Sequence, residues 1–307
     1  MSTPWTPERE VTIADAQRLL REQLPQLDAR SVTPLGAGWD NTAFNIDDTY
    51  VARFPRRTVA APLLEREIAL LPLIAPHVPL PISAPLFSGM SDDAFQWHFA
   101  VSAKFAGRTL DAARPDDTTL CALAAPLGAF VRALHDIDPT PLIARGLPRD
   151  EIARISHDKR FPMSRGRLAS LEAAGIIEDA DIFLSELLRL APSTRESPAL
   201  VVVHGDLYAR HIMIDDTGSI TGIIDWGDLH FGDPALDIGI VELVLPIESH
   251  PAFFAAYGPV DDATRQRARY RAIYHSSLLA EYGLRTDDAD ARDAGRRALE
   301  RMQRSIV

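Results

Sequence analysis

Cysteine is nearly absent: Cys121 stands alone in 307 residues, so neither an internal disulfide nor a cysteine metal cluster can form. Long apolar runs are lacking too. No stretch approaches the roughly 18 uninterrupted apolar residues of a membrane-spanning helix. Residues 1–10, MSTPWTPERE, have neither the basic start nor the apolar core of a signal peptide. Positive charge is in deficit, with 32 Lys and Arg against 43 Asp and Glu for a net charge of −11. That balance disfavours broad binding to nucleic-acid phosphates. Fixed-period repeats and low-complexity tracts are missing as well. The expectation is a soluble, cytoplasmic, monomeric protein with no nucleic-acid or membrane partner.

What is present suffices for a sizeable core, since 46% of the residues are hydrophobic and 24% charged. The chain reads in two parts. Up to residue 105 it is strand-rich around a helix or two: helical spacing at 15–24, strands over 32–35, 42–46 and 49–54, a helix over 63–74 and a strand over 95–105. Asp47 and Asp48 form a tight turn between the second and third strands. From 106 onward the pattern changes to long helices, over 120–134 with a kink at Pro126, 182–190 and 264–282. A few short buried strands lie among them, two of them joined by a turn at 215–218. Residues 1–105 and 106–307 are therefore expected as two lobes.

Residues 201–211 read VVVHGDLYARH, a buried strand that runs into a His-Gly-Asp turn. A second apolar strand ends in GIIDWGD at 222–228. Set side by side, these strands would deliver Asp206 and Asp225 to one rim. Two carboxylates that close repel unless a cation stands between them or one takes a proton. A Mg²⁺ ion would relieve the repulsion and leave one carboxylate free to orient a nucleophile.

With this spacing the sequence resembles the aminoglycoside and macrolide antibiotic phosphotransferases, relatives of the protein kinases, and its HGDLYARH stretch is closest to the macrolide 2'-phosphotransferases. The resemblance implies an α+β, bilobal protein-kinase-like fold. A small β-rich N-terminal lobe would bind the nucleotide, and a larger, mostly helical lobe would hold the acceptor. It implies ATP or GTP as phosphoryl donor, with Mg²⁺. Asp206 would be the catalytic base for the acceptor hydroxyl. His211 and Asp225 would hold the metal. The family at large has Asn where His211 stands; Mg²⁺ prefers oxygen, so His211 either ligates directly or acts through water. His204, His135, Asp233, Pro234 and Asp237 read as scaffold, with Asp233 capping a short helix.

The nucleotide site falls in the first lobe. LGAGWDNTAF at 35–44 matches the family's phosphate-covering loop, where Gly36 and Gly38 would let backbone N–H groups approach phosphates and Asn41 recurs. Arg53 occupies the slot where protein kinases carry a phosphate-binding Lys. It keeps the charge on a bulkier fork. Glu67 shares a helix face with Leu71 and Ile74 and would be its partner, with Glu65 as the fallback. Arg56 and Arg57 read as a solvated basic edge.

The acceptor is the least legible part. Polycationic aminoglycosides would need several carboxylates converging on Asp206; macrolides would need an apolar groove. Tyr270, Tyr274, Leu278 and Tyr282 recur every four residues and either line such a groove or are core. Asp228, Glu242 and Glu248 are candidates for an amine contact. Phosphotransfer to an antibiotic, macrolide before aminoglycoside, is the leading expectation. A kinase of an ordinary metabolite such as a choline-like alcohol or a sugar, a non-catalytic nucleotide-binding module, and a zinc hydrolase using His204, His211 and Asp225 are the alternatives.

Overall fold

A computed structural model describes residues 7–38, 40–195 and 198–306. The first element is α1 (Ile13–Gln23), opened by a capping box in which Thr12 and Asp15 bond each other's backbone N–H. Then come β1 (Val32–Ala37), β2 (Asn41–Ile46) and β3 (Tyr50–Pro55), followed by α2 (Ala61–Ile74), β4 (Pro85–Gly89) and β5 (Phe99–Ala103). The strands form one antiparallel sheet in the order β1-β2-β3-β5-β4. Asp47 and Asp48 make the β2–β3 turn with φ of 49° and 56°, left-handed values that aspartate tolerates better than most residues. The Asp47 carboxylate also accepts the N–H groups of Arg30 and Ser31, which ties the turn to the start of β1.

Phe44, Phe54, Phe95, Trp97 and Phe99 form the centre of this lobe, Phe54 stacking on Phe99 at 4.8 Å. The expected strand over 95–105 is shorter than its sequence suggests. The Phe95 N–H goes to Asp92 rather than to a ladder partner, so Phe95 and Trp97 fill the core from a loop. β4 was not anticipated, because Pro79, Pro81 and Pro85 give its approach the look of a loop. α2 joins two cores: Ala61 packs into the small-lobe cluster, while Leu70, Leu71 and Ile74 belong to the larger one.

The rest is mostly helical: α3 (Leu110–Ala113), α4 (Asp117–His135), α5 (Thr140–Ile143), α6 (His157–Ala173) and α7 (Ala180–Leu190), then α8 (Ala235–Ile238), α9 (Ile240–Val244), α10 (His250–Tyr257), α11 (Asp262–Thr286) and α12 (Ala289–Arg304). α4 is long and apolar enough to cross a membrane by composition. Here its apolar face, from Leu120 to Leu134, lies in the core, and a Cβ on Gly128 would strike the Phe253 carbonyl of α10 at 2.4 Å. α6 and α12 went unread in the sequence for opposite reasons. α6 buries Arg160 and Ser164 along with its leucines, which blurs the apolar period, and α12 packs through small residues. A Cβ on Gly295 would sit 2.5 Å from the Ala280 backbone of α11, so only glycine permits that approach.

The short strands depart from expectation in their pairing. β6 (Arg108–Thr109), β8 (Ile212–Ile214) and β9 (Ile220–Ile223) form one sheet, with the anticipated turn between β8 and β9. β7 (Val201–Val203) pairs instead with β10 (His230–Gly232). The two motif strands, β7 and β9, are therefore not neighbours. Asp206 and Asp225 lie beyond the ends of strands in different sheets, and what joins them is a set of side chains and one main-chain hydrogen bond.

Candidate active site

The stretch after β7 is fastened by one buried carboxylate. Asp237, wholly inaccessible on α8, accepts the N–H of His204 at 2.8 Å and of Gly205 at 2.9 Å, and faces His135 Nε2 at 3.3 Å. Asp233 anchors α8 in turn, accepting from the Ala235 N–H and from Arg267 Nε. Gly205 has φ of 83°, and a Cβ there would meet the Asp228 carbonyl at 2.5 Å, so the turn requires glycine. His204 is buried. Its Nε2 donates to the Ile224 carbonyl at 3.1 Å and its Nδ1 accepts the Asp206 N–H at 3.3 Å, which fixes a neutral tautomer. Burial lowers its pKa, in keeping with that state. The Ile224 N–H completes the link by donating to the His211 carbonyl at 2.9 Å. Both nitrogens of His204 are thus spent on the backbone, which rules out the zinc-site reading that needs it as a ligand.

His211 stands between the two carboxylates. Its Nε2 is 3.3 Å from Asp225 Oδ2, and its Nδ1 lies 2.7 Å from the Asp206 carbonyl oxygen and 3.8 Å from Asp206 Oδ2. Burial works against a charged imidazole, but Asp225 and Asp206 outweigh it and push its pKa up to about 9. Crowding in the cleft works against the Asp225 charge as well. His211 and Arg53 prevail and hold that carboxyl well below its usual range. Asp225 adopts φ of 62°, a strained conformation for a residue with a side chain. Asp206 behaves differently: burial raises its pKa to about 6, against the pull of His211 and Arg271.

A Mg²⁺ ion fits this donor set. Among the described residues no group of three His, Cys, Asp or Glu side chains forms a closed metal cage. Mg²⁺ characteristically takes only one or two protein ligands, with substrate phosphates and water completing its shell. To ligate a metal, His211 must first give up its Nε2 proton, the one that faces Asp225.

In the N-terminal lobe, Arg53 on β3 meets Glu67 on α2 through two hydrogen bonds, Nη1 to Oε1 at 3.2 Å and Nη2 to Oε2 at 2.5 Å. The Arg53 side chain is 14% exposed and that of Glu67 2%. Burial pushes the Glu67 carboxyl up, against Arg53; the paired fork geometry is that of an ion pair. Glu65 points elsewhere and bonds His98 at 2.9 Å. Gly36 and Gly38 have ordinary negative φ, and a Cβ on Gly36 would meet nothing within 4 Å, so the backbone there is open to approach. Gly38 N–H donates to the Asn41 carbonyl, while Asn41 Oδ1 is buried with no partner among the described residues. Arg56 and Arg57 correct the reading of a solvated edge: Arg56 Nη1 donates to the Gly38 carbonyl at 3.1 Å, and Arg57 pairs with Asp40. Both brace the glycine loop. Trp39 lies outside the described residues.

Two residues near Asp206 escaped the sequence reading. Arg271 and His275, both on α11, lie 3.2 Å (Nη2) and 3.6 Å (Nδ1) from Asp206 Oδ1. With Arg267 they recur every four residues, all at most 6% exposed, a buried polar stripe beside the tyrosine stripe. Tyr270 and Tyr274 are core, their hydroxyls meeting His157 and Arg160 at 3.2 Å. Two of the carboxylates considered for an amine contact are already paired, Asp228 with Arg154 and Glu242 with Arg269, and Glu248 is exposed.

Comparison with known proteins places this architecture. Over 127 residues, 38% of this chain, the sequence is 40% identical to the aminoglycoside 3'-phosphotransferase of Streptomyces fradiae. That stretch spans 46% of the relative's length. The GDP complex of wild-type aminoglycoside 2'-phosphotransferase-IIIa superposes with a TM-score of 0.68 at 24% identity, covering 97% of this chain and 100% of the other. The macrolide 2'-phosphotransferase MphH of Brachybacterium faecium does so with 0.59 at 22% identity, covering 94% and 97%. These likenesses give the kinase-like phosphotransferase fold. The sequence profile of the phosphotransferase enzyme family matches residues 31–273, and the chain belongs to that family.

Proposed function

We propose that this protein transfers the γ-phosphoryl group of ATP or GTP to a hydroxyl of a small molecule, with residues 1–105 as the nucleotide lobe and 106–307 as the catalytic and acceptor lobe. The observation that carries this reading is the placing of Asp206 and Asp225 about one imidazole, with the Arg53–Glu67 pair in the other lobe. Asp206 takes the acceptor's proton as its oxygen bonds to the γ-phosphorus. The bond from that phosphorus to the β–γ bridging oxygen breaks, and nucleoside diphosphate leaves. Arg53 pairs with nucleotide phosphates while Glu67 holds its fork, and the backbone at Gly36 and Gly38, with Asn41, covers the phosphates. Asp225 and His211, the latter after loss of its Nε2 proton, would hold Mg²⁺, which supplies charge neutralisation to the phosphates.

Kinship puts antibiotics first among acceptors. A macrolide, mostly apolar with one amine, suits the surroundings of Asp206 better than a polycationic aminoglycoside does. Arg154 already claims Asp228, whose charge acts on Asp206, and a further arginine touches the base itself. The test is coupled nucleoside-diphosphate release, with ATP and GTP each tried against erythromycin, an aminoglycoside, a choline-like alcohol, a sugar and no acceptor. Release that depends on erythromycin is the expected result. Release with the alcohol or sugar alone makes the protein a metabolite kinase, and nucleotide binding without release under any condition makes it a non-catalytic module.

A further inference from the structure

We propose that α11 completes the active site: Arg271 is a positioning residue for the Asp206 carboxylate, and His275 receives an oxygen of the acceptor next to the hydroxyl being phosphorylated. The inference rests on the phosphotransfer reading above and adds to it two residues of α11, far downstream of the base in sequence.

The two oxygens of Asp206 have different surroundings. Oδ1 is held by Arg271 Nη2 at 3.2 Å, with His275 Nδ1 at 3.6 Å. Oδ2 faces His211 Nδ1, but that nitrogen is already engaged at 2.7 Å by the Asp206 carbonyl oxygen. Arg271 therefore pins one oxygen and turns the other, with its lone pair free, toward the His211 and Asp225 side, where the acceptor hydroxyl must meet the phosphate. The cation on the loop itself is not available for this task. Arg210, four residues after Asp206, is turned away and bonds Asp111 and Asp288. Arg271 is 6% exposed and lies against the Tyr274 ring at 5.7 Å, so its fork is fixed before any ligand arrives.

His275 is 4% exposed, and neither of its ring nitrogens has a hydrogen-bond partner among the described residues. A buried imidazole left so costs free energy unless something else bonds it. The Tyr208 ring packs against both histidines, 4.8 Å from His275 and 4.3 Å from His211. The guanidinium of Arg271 beside it disfavours an ammonium, so the group it receives is a hydroxyl or ether oxygen of the acceptor.

Steady-state kinetics test this, using MgATP or MgGTP and the panel acceptor that wild type turns over, erythromycin first. Arg271→Met is expected to lower kcat about 10²-fold, the scale of a misplaced catalytic group, with the nucleotide KM within about threefold. Arg271→Lys recovers part of the rate, and added guanidinium chloride restores part of the Arg271→Met rate, which a merely structural role would not show. His275→Leu raises the acceptor KM about tenfold, the scale of one lost hydrogen bond, and leaves the nucleotide KM unchanged. Should Arg271→Met fail to fold, Arg271→Lys carries the test, since it keeps the charge and loses the fork. Wild-type kcat in the Arg271 variants, or a loss shared with nucleotide affinity and deaf to guanidinium, overturns the inference alone. A wild type that turns over no acceptor overturns the phosphotransfer reading and this inference with it.

Discussion

Asp206 and Asp225 come from different sheets and meet across the ring of His211, whose Nε2 lies 3.3 Å from Asp225 Oδ2 and whose Nδ1 lies 3.8 Å from Asp206 Oδ2. One positive charge serves both carboxylates. The environment nevertheless separates them: Asp225 is held ionised, while Asp206 is raised toward neutrality. A carboxylate that stays charged suits a cation, and one near its titration point suits proton transfer.

On the proposed mechanism, Asp206→Ala removes the proton acceptor and leaves the nucleotide lobe untouched. Turnover should fall by about 10³-fold or more, a loss on the scale of general-base removal, while nucleotide affinity measured by calorimetry stays within about threefold of wild type. An unchanged kcat in this variant contradicts the assignment of the base.

His211→Asn exchanges an imidazole for the oxygen ligand that Mg²⁺ prefers. Activity with Mg²⁺ should persist within about tenfold of wild type. Complete loss of turnover in a folded variant would give His211 a task that an oxygen ligand cannot perform.

Arg53 and Glu67 can be separated by a double-mutant cycle. Glu67→Leu alone strands a buried guanidinium and should cost about 3–5 kcal/mol of stability. The double variant Arg53→Met with Glu67→Leu should recover most of that in urea unfolding, because no buried charge is left unpaired. Nucleotide affinity should stay low in both the single Arg53→Met and the double variant. Restored affinity in the double variant would separate the pair from nucleotide binding.

Asp237 yields a stability prediction with a defined pH sense. Burial works against its charge, but His135 and the N–H groups of the loop outweigh it and hold the carboxyl below its ordinary value of 3.8. A depressed carboxyl contributes stability above its unfolded pKa and loses that contribution as pH falls through the folded value. Asp237→Asn should therefore lower the thermal midpoint at pH 7, by the equivalent of about 2–3 kcal/mol, and its deficit against wild type should shrink below about pH 4. A deficit that grows on acidification would contradict this.

Some elements were legible because local chemistry decides them. Asp47 and Asp48 announce a turn wherever two alternating strands flank them, and Glu67 shares a helical face with Leu71 and Ile74, so its inward aim could be read from spacing. The pairing of β7 could not be read. Three-residue strands carry no periodicity, and Val201–Val203 would fit any buried neighbour. Arg271 and His275 were illegible for a different reason: polar residues four apart on a helix look like a solvated face. Only the packing of α11 against the loop after β7 shows that they are buried. Arg56 and Arg57 misled in the same way, since nothing local tells a basic edge from a brace on a neighbouring loop.

The most direct measurement is mass spectrometry of the acceptor after incubation with Mg²⁺ and either ATP or GTP, comparing wild type with Asp206→Asn. The account requires that wild type add one phosphoryl group to a hydroxyl of the acceptor while Asp206→Asn adds none. Phosphorylated acceptor formed at equal rates by both proteins, or nucleotide consumed with the acceptor unaltered, would contradict it.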